Sequence, residues 1–287
     1  MTNEQKIVAC VDQSEFARYV TDYAAWAAKR INAPLELLHI IDRHPEISSS
    51  DDHSGALGPN AQENLLSQLS DEDETRSKVA RERGRLFLNE LRQQAVTAGA
   101  PSVDVRQRLG ELEETLVEQQ EGVRLFVIGR RGKSAQSTQR DLGRNVERVV
   151  RALHRPILTT TDSFKVPERV LIAFDGGITT RRGIERIATS PLFAGLPIHI
   201  LMSGKPKADA PKQLEWAVDR LTSAGFNATS ELLPGDAESV IAQAVSDRQI
   251  DILVMGAYHH SPLRSALFGS KTSDLLRASK SPTLLLR

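Results

Sequence analysis

Two stretches of this chain carry the same punctuation. Leu125-Phe126-Val127-Ile128-Gly129 is answered by Ile252-Leu253-Val254-Met255-Gly256. A second glycine follows 14 residues on in the first (Gly143) and 13 residues on in the other (Gly269). From there each stretch runs 13 residues to a proline, Pro156 or Pro282, that opens a short apolar segment. Such self-similarity restricts the chain to folds that can be built twice from one unit.

The rest of each unit can be matched. Ile7-Val8-Ala9-Cys10-Val11-Asp12 and Val170-Leu171-Ile172-Ala173-Phe174-Asp175 are apolar runs that end on an acid. Continuous runs of this kind suit central parallel strands covered on both faces. Helical patterns follow, from Ser14 through Trp26 and Ala28 and from Thr180 through Ile187, then second strands at Leu35–Ile41 and Ile198–Met202. Third strands are expected at Val103–Leu109 and Ala228–Leu233, each closed by a glycine, Gly110 or Gly235, with helices through Leu116 and Val240. Strands alternating with helices imply right-handed crossovers and a parallel sheet. The fold class is therefore α/β, as two tandem copies of one parallel-sheet unit.

The copies differ in length. Asp12 to Gly129 spans 117 residues and Asp175 to Gly256 spans 81. Most of the surplus falls in about 44–69, rich in Ser, Asp, Gly and Asn, which reads as a mobile insertion, either a lid or a disordered decoration. A helix is expected to begin at Ser70-Asp71-Glu72-Asp73, which has capping-box spacing, and to end near Gly99; its counterpart runs from Lys212 to about Ser223. Trp26 and Trp216 read as core aromatics. The polar, proline-containing stretch 161–168 reads as a linker between a first domain, 1–160, and a second, 169–287.

Composition narrows the function classes. Lys plus Arg equals Asp plus Glu at 37 each, so no global field favours nucleic acid. No apolar run reaches the roughly 18 residues of a membrane helix, and the first residues lack a signal-peptide pattern. A single cysteine, Cys10, excludes an intramolecular disulfide framework and points to a cytoplasmic protein with a packed core thiol.

In an open parallel sheet the ligand crevice lies beyond the carboxyl ends of the strands, where strand order reverses. Two loops of each copy end there: the one bearing Asp12 or Asp175, and the glycine loop after the fourth strand. Glycines let backbone N–H groups turn toward a phosphate, and the helix that follows adds its positive end. A neighbouring carboxylate can accept hydrogen bonds from a ribose or an adenine amino group. The same glycines also suit plain strand-to-helix turns.

Gly256-Ala257-Tyr258-His259, nine residues, then Gly269-Ser270 resembles the G-x2-G-x9-G-[S/T] nucleotide loop of universal stress proteins. Gly129-Arg130-Arg131-Gly132, ten residues, then Gly143-Arg144 resembles the corresponding segment of tandem members. Asp12 with Ser14, and Asp175, match the family's first-strand pattern. The resemblance covers nearly the whole chain and implies two copies of a five-stranded parallel-sheet, adenine-nucleotide alpha hydrolase-like (Rossmann-like) domain that holds ATP or AMP in some members, with Mg²⁺ accompanying ATP. In the second copy it implies Asp175 on the nucleoside, with Gly256, Gly269, Ser270 and Lys271 on the phosphates. In the first it implies Asp12, Gly129, Gly132, Gly143 and Arg144. Two departures stand out: His259 replaces the second glycine of its loop, and Arg144 replaces the hydroxyl residue of the other. The second copy is the stronger candidate of the two, because Gly269-Ser270-Lys271 combines the family's spacing, hydroxyl and cation. The resemblance also implies a stress-response regulatory protein, a pseudo-dimer of its two domains that can pair further. The rival reading is a nucleotide-free scaffold for a protein partner.

Other signals point elsewhere only weakly. Arg140, Arg144, Arg148, Arg151 and Arg155 share one face of a helix whose opposite face is Val146, Val149, Val150 and Leu153, so a solvated basic face is expected. His259-His260 has poor metal-ligand spacing. Asp175-Gly176-Gly177 lacks the lead serine and later aspartate of ATP pyrophosphatase loops. No nucleophile–base pair is present, which argues against dedicated catalysis beyond slow ATP hydrolysis.

Overall fold

The structure, a computed structural model, describes residues 5–41, 61–132, 144–204, 208–256 and 281–287, with side chains from 78 in the second helix and from 146 in the fourth. The first copy comprises β1 (Lys6–Cys10), α1 (Ala17–Ile31), β2 (Leu35–Ile41), α2 (Ala61–Thr97), β3 (Val103–Leu109), α3 (Leu112–Gln119), β4 (Val123–Gly129), α4 (Arg144–Ala152) and β5 (Ile157–Thr160). The second comprises β6 (Val170–Ala173), α5 (Ile178–Ala188), β7 (Ile198–Ser203), α6 (Ala210–Thr222), β8 (Ala228–Leu233), α7 (Ala237–Asp247), β9 (Ile252–Gly256) and β10 (Thr283–Leu286).

The strands form one ten-stranded sheet in the order β3-β2-β1-β4-β5-β10-β9-β6-β7-β8. Every pairing is parallel except β5 with β10, where Leu158 faces Leu284. The order reads alike from both edges, so the copies are related by an approximate twofold through that antiparallel pair. Each five-stranded half is the parallel sheet the alternating pattern predicts.

Alternate strand residues feed two cores. Ile7, Ala9, Leu35, Leu37, Val170 and Ile172 pack under α1, α2, α5 and α6. Val8, Leu38, Phe126, Leu171 and Leu253 pack under α3, α4 and α7. The α4 face behaves as its spacing predicts, with Val149, Val150 and Leu153 fully buried. Trp26 is a core residue, whereas Trp216 is only partly buried, stacks on Phe174 at 6.4 Å and carries the Arg181 guanidinium 4.7 Å above its ring.

One boundary differs from expectation. α2 begins at Ala61, within the stretch read as an insertion, so Ser70–Asp73 lies inside the helix rather than at its cap. Leu65, Leu66 and Leu69 are spaced as one helical face, and a helix already nucleated propagates through the acids that follow them. The remainder of the insertion, 44–60, lies outside the described residues.

Side chains lock the seam between copies. Arg130 is buried and donates to Ser281 O and Thr283 Oγ1, both at 2.6 Å. Arg30 donates to Leu192 O at 3.0 Å and also reaches Ala194 O. Arg287 reaches Val150 O and Arg151 O at the end of α4, where a cation favours the helix dipole. Trp26 meets Phe193 with ring centroids 6.5 Å apart. Phe164, in the segment joining the copies, packs edge-on against Tyr23 at 4.8 Å.

Candidate functional site

In each copy the first and fourth strands are neighbours and their crossovers leave in opposite directions, so the crevice opens between them. β1 delivers Asp12 and β4 delivers Gly129 through Gly132 to the same end of the first half-sheet. They line a cavity of about 310 Å³ with Val11, Leu38, Ile40 and Val146 as apolar wall and Ser14, Glu111, Glu113, Arg131 and Arg148 at the polar side. This is within the range of small-ligand pockets.

The loop after β1 is ordered by its own side chains. Asp12 Oδ1 accepts from the Ser14 amide at 3.2 Å and from the Ser14 hydroxyl, an Asx-type turn that hands the chain to α1. The other carboxylate oxygen faces the glycine loop, and a β-carbon on Gly132 would stand 2.5 Å from Asp12 Oδ2. On Gly129 it would stand 2.8 Å from the Arg131 carbonyl. Neither position has room for a larger residue while the loop keeps this shape.

The two arginines of the loop are occupied. Arg130 turns into the seam, where burial pushes its pKa down to about 10 against the opposing pull of Asp162. Arg131 pairs with Asp162 at 2.9 Å and lies over the Phe16 ring at 5.7 Å. The pocket therefore presents backbone and apolar surface more than free cations.

Across the crevice, Arg148 of α4 binds Glu113 at 2.8 Å and Glu111 at 3.5 Å, both at the start of α3. Arg155 donates to the carbonyls of Gln120 and Glu121 at 2.9 and 3.0 Å. These two members of the arginine stripe thus tie α4 and the loop beyond it to α3 and the turn after it. Glu111, Glu113 and Arg148 were not singled out from sequence as crevice residues; Gly110 followed by two nearby acids was the available signal. Cys10 lies on the floor, and burial, then the nearby Glu36 charge, pushes its thiol up to about 12.

The second copy builds the same junction from β6 and β9. Asp175 Oδ1 accepts from the Gly177 amide at 2.8 Å and the Thr180 hydroxyl at 2.6 Å. Gly256 approaches the same helix start, where an added β-carbon would meet the Thr179 and Thr180 methyls at 3.3 and 3.4 Å. Gly176 has φ +75°, a conformation that favours glycine, and Gln213 covers it so closely that any β-carbon would overlap.

The structure thus brings Asp12 together with Gly129 and Gly132, and Asp175 with Gly256. His259, Gly269, Ser270, Lys271 and Gly143 lie outside the described residues, as does the side chain of Arg144. Among the described residues no group of three or more His, Cys, Asp or Glu is placed to hold a metal, and no helix is long and apolar enough to cross a membrane.

The family profile for the universal stress protein family matches residues 4–160 and 199–287. Universal stress protein Slr1230 of Synechocystis sp. is 35% identical over 286 residues, 99% of this chain and all of that one. Among solved structures, a universal stress protein from Archaeoglobus fulgidus aligns over 98% of both chains with a TM-score of 0.73 at 17% identity. A Pseudomonas aeruginosa protein described as a putative universal stress protein aligns over 98% of this chain and 92% of its own, with a TM-score of 0.60 at 18% identity. At those identities the two structures speak to fold alone.

Proposed function

The chain belongs to the universal stress protein family, and from that premise we propose that it is a cytoplasmic stress-response protein whose first copy binds an adenine nucleotide in the crevice between β1 and β4. The observation that carries this reading is the close approach of Asp12 to Gly132 at the mouth of a cavity of about 310 Å³. A carboxylate and a glycine loop from adjacent strands are what a nucleoside and its phosphates require at one point.

In this reading Asp12 accepts from the ribose or the adenine amino group, and the base lies along Val11, Ile40 and Val146. The amides of the Gly129–Gly132 loop face the phosphates, with Gly143 and Arg144 completing the cradle. ATP would bring Mg²⁺ with it, since that ion keeps water and phosphate oxygens as most of its ligands. Asp175, Gly256, His259, Gly269, Ser270 and Lys271 form the corresponding set in the second copy.

The chemistry is binding rather than turnover. A ligand present at about 100 times its Kd adds roughly 2.7 kcal/mol of stability, large beside a marginal folding free energy. The nucleotide would act as a stabiliser of one state that partners read.

Gly132→Val tests this. The branched side chain must displace Asp12 or the loop, so ATP and AMP affinity measured by titration calorimetry should fall by about tenfold or more. Unchanged affinity would move the nucleotide to the second copy. Absence of binding in the parent chain would favour a nucleotide-free scaffold, a reading consistent with Asp12 and Asp175 each already accepting from a local hydroxyl.

A further inference from the structure

The approximate twofold relates two recesses along the seam between the copies, and among the described residues only one of them is filled by the chain itself. Tyr23 and Arg186 each lie 11 residues past their strand-end aspartates, Asp12 and Asp175. Asp251 and Arg124 each lie five residues before their loop glycines, Gly256 and Gly129. Ser281 and Arg155 each precede the proline that opens the last strand of their copy.

On the Tyr23 side the joining segment is the occupant. Phe164 packs on Tyr23, while the buried Asp251 carboxylate takes Lys165 Nζ at 2.7 Å and the amides of Glu168 and Arg169 at 2.9 and 3.0 Å. An apolar group and a positively charged, hydrogen-donating strip of chain thus meet an aromatic ring and an anion.

On the other side the charge is reversed. Arg124, Arg155 and Arg186 line a cavity of about 300 Å³ with an apolar floor that includes Leu125, Leu284 and Leu286, and no carboxylate is among the described lining residues. Arg155 spends Nε and one terminal nitrogen on backbone carbonyls. The side chains of Arg124 and Arg186 make no hydrogen bond or ion pair among the described residues. Three guanidiniums brought together with no counter-charge among the described lining residues repel one another, and Arg186 titrates below the ordinary arginine value through burial and then through Arg155.

We propose that this recess is a binding site for a small organic anion, with the anionic head on Arg124, Arg155 and Arg186 and an apolar body on Leu125, Leu284 and Leu286. Guanidiniums favour phosphate and carboxylate through paired, charge-assisted N–H donors. The site lies at the amino ends of β4 and β5, opposite the nucleotide crevice, and is independent of it. Because Arg124 and Arg155 belong to the first copy and Arg186 to the second, the ligand bridges the copies and stabilises their docking.

Phenyl phosphate is the probe, with phenol and inorganic phosphate as controls, titrated by calorimetry into the full chain. Saturable binding of phenyl phosphate is expected, tighter than either control. In R124Q/R186Q the affinity should fall by about tenfold or more, and in Gly132→Val it should not change. Should the double variant fail to fold, Arg186→Gln alone, at the solvent-facing end of α5, makes the same test. Unchanged affinity in these variants, or loss of binding in Gly132→Val, overturns the site. Inorganic phosphate binding as tightly as phenyl phosphate overturns the ligand class.

Discussion

Arg130 and Thr283 belong to different copies of the repeat, yet Arg130 Nη2 donates to Thr283 Oγ1 across 2.6 Å in the buried seam. The same nitrogen reaches Ser281 O at 2.6 Å, and Nε reaches Thr159 Oγ1 at 3.3 Å. Arg130→Met removes these donors and strands buried acceptors, while relieving the burial of a cation. The net loss should be about 1–3 kcal/mol, read as a lower denaturant midpoint. A midpoint equal to that of the parent chain would mean the seam does not depend on this side chain.

The joining segment should depend on Asp251. Its carboxylate takes two backbone amides and one ammonium and is almost wholly buried. Asp251→Ala leaves those amides without their acceptor, and a loss of about 1.5–3 kcal/mol is expected. The same change should speed proteolysis between the copies. Protease resistance equal to that of the parent would show that the segment is held by Phe164 and Tyr23 alone.

Cys10 should react slowly although it touches the crevice. A thiol at about 12 is roughly a thousandfold less ionised at pH 8 than an ordinary one, and the thiolate is the nucleophile. Alkylation by iodoacetamide in the folded protein should therefore lag the denatured protein by about that factor. Comparable rates would place the thiol in a more polar setting than the structure gives it.

His199 carries a pH signature. Burial, then the Arg248 charge, lowers its pKa, and Glu231 opposes this only partly because its carboxylate is shared with Arg248. With the folded value below the ordinary ~6.5, the unfolded chain binds more protons in the window between them. Native stability should fall as pH drops through that window, and His199→Gln should lack this contribution. Parallel stability curves for parent and variant from about pH 7.5 to about 5 would refute the sign.

The fold was legible because its signals are local and occur twice. Apolar runs ending at Asp12 and Asp175, and matched runs ending at Gly129 and Gly256, place the strands that build both crevices. The start of α2 was not legible. Ser, Asp, Gly and Asn before it suggest a loop, and Ser70 with the acids after it imitates a cap, although the helix begins at Ala61. The seam was least legible. Arg130 is in sequence only an intervening residue of the glycine loop, and only the antiparallel pairing of β5 with β10 brings Ser281 and Thr283 within its reach. Arg148 and Arg151 of the arginine stripe are exposed, as a solvated face requires, but the pairing of Arg148 with Glu111 and Glu113 arises only from the packing of α3 on α4 and was not legible.

The most direct test of the account is the adenine nucleotide carried by freshly purified protein, released by denaturation, resolved by liquid chromatography and expressed per chain, together with the melting shift on adding millimolar ATP and Mg²⁺. The account predicts bound nucleotide or a clear upward shift in the parent chain, and a marked loss of either in Gly132→Val. No nucleotide and no shift in the parent chain would contradict it.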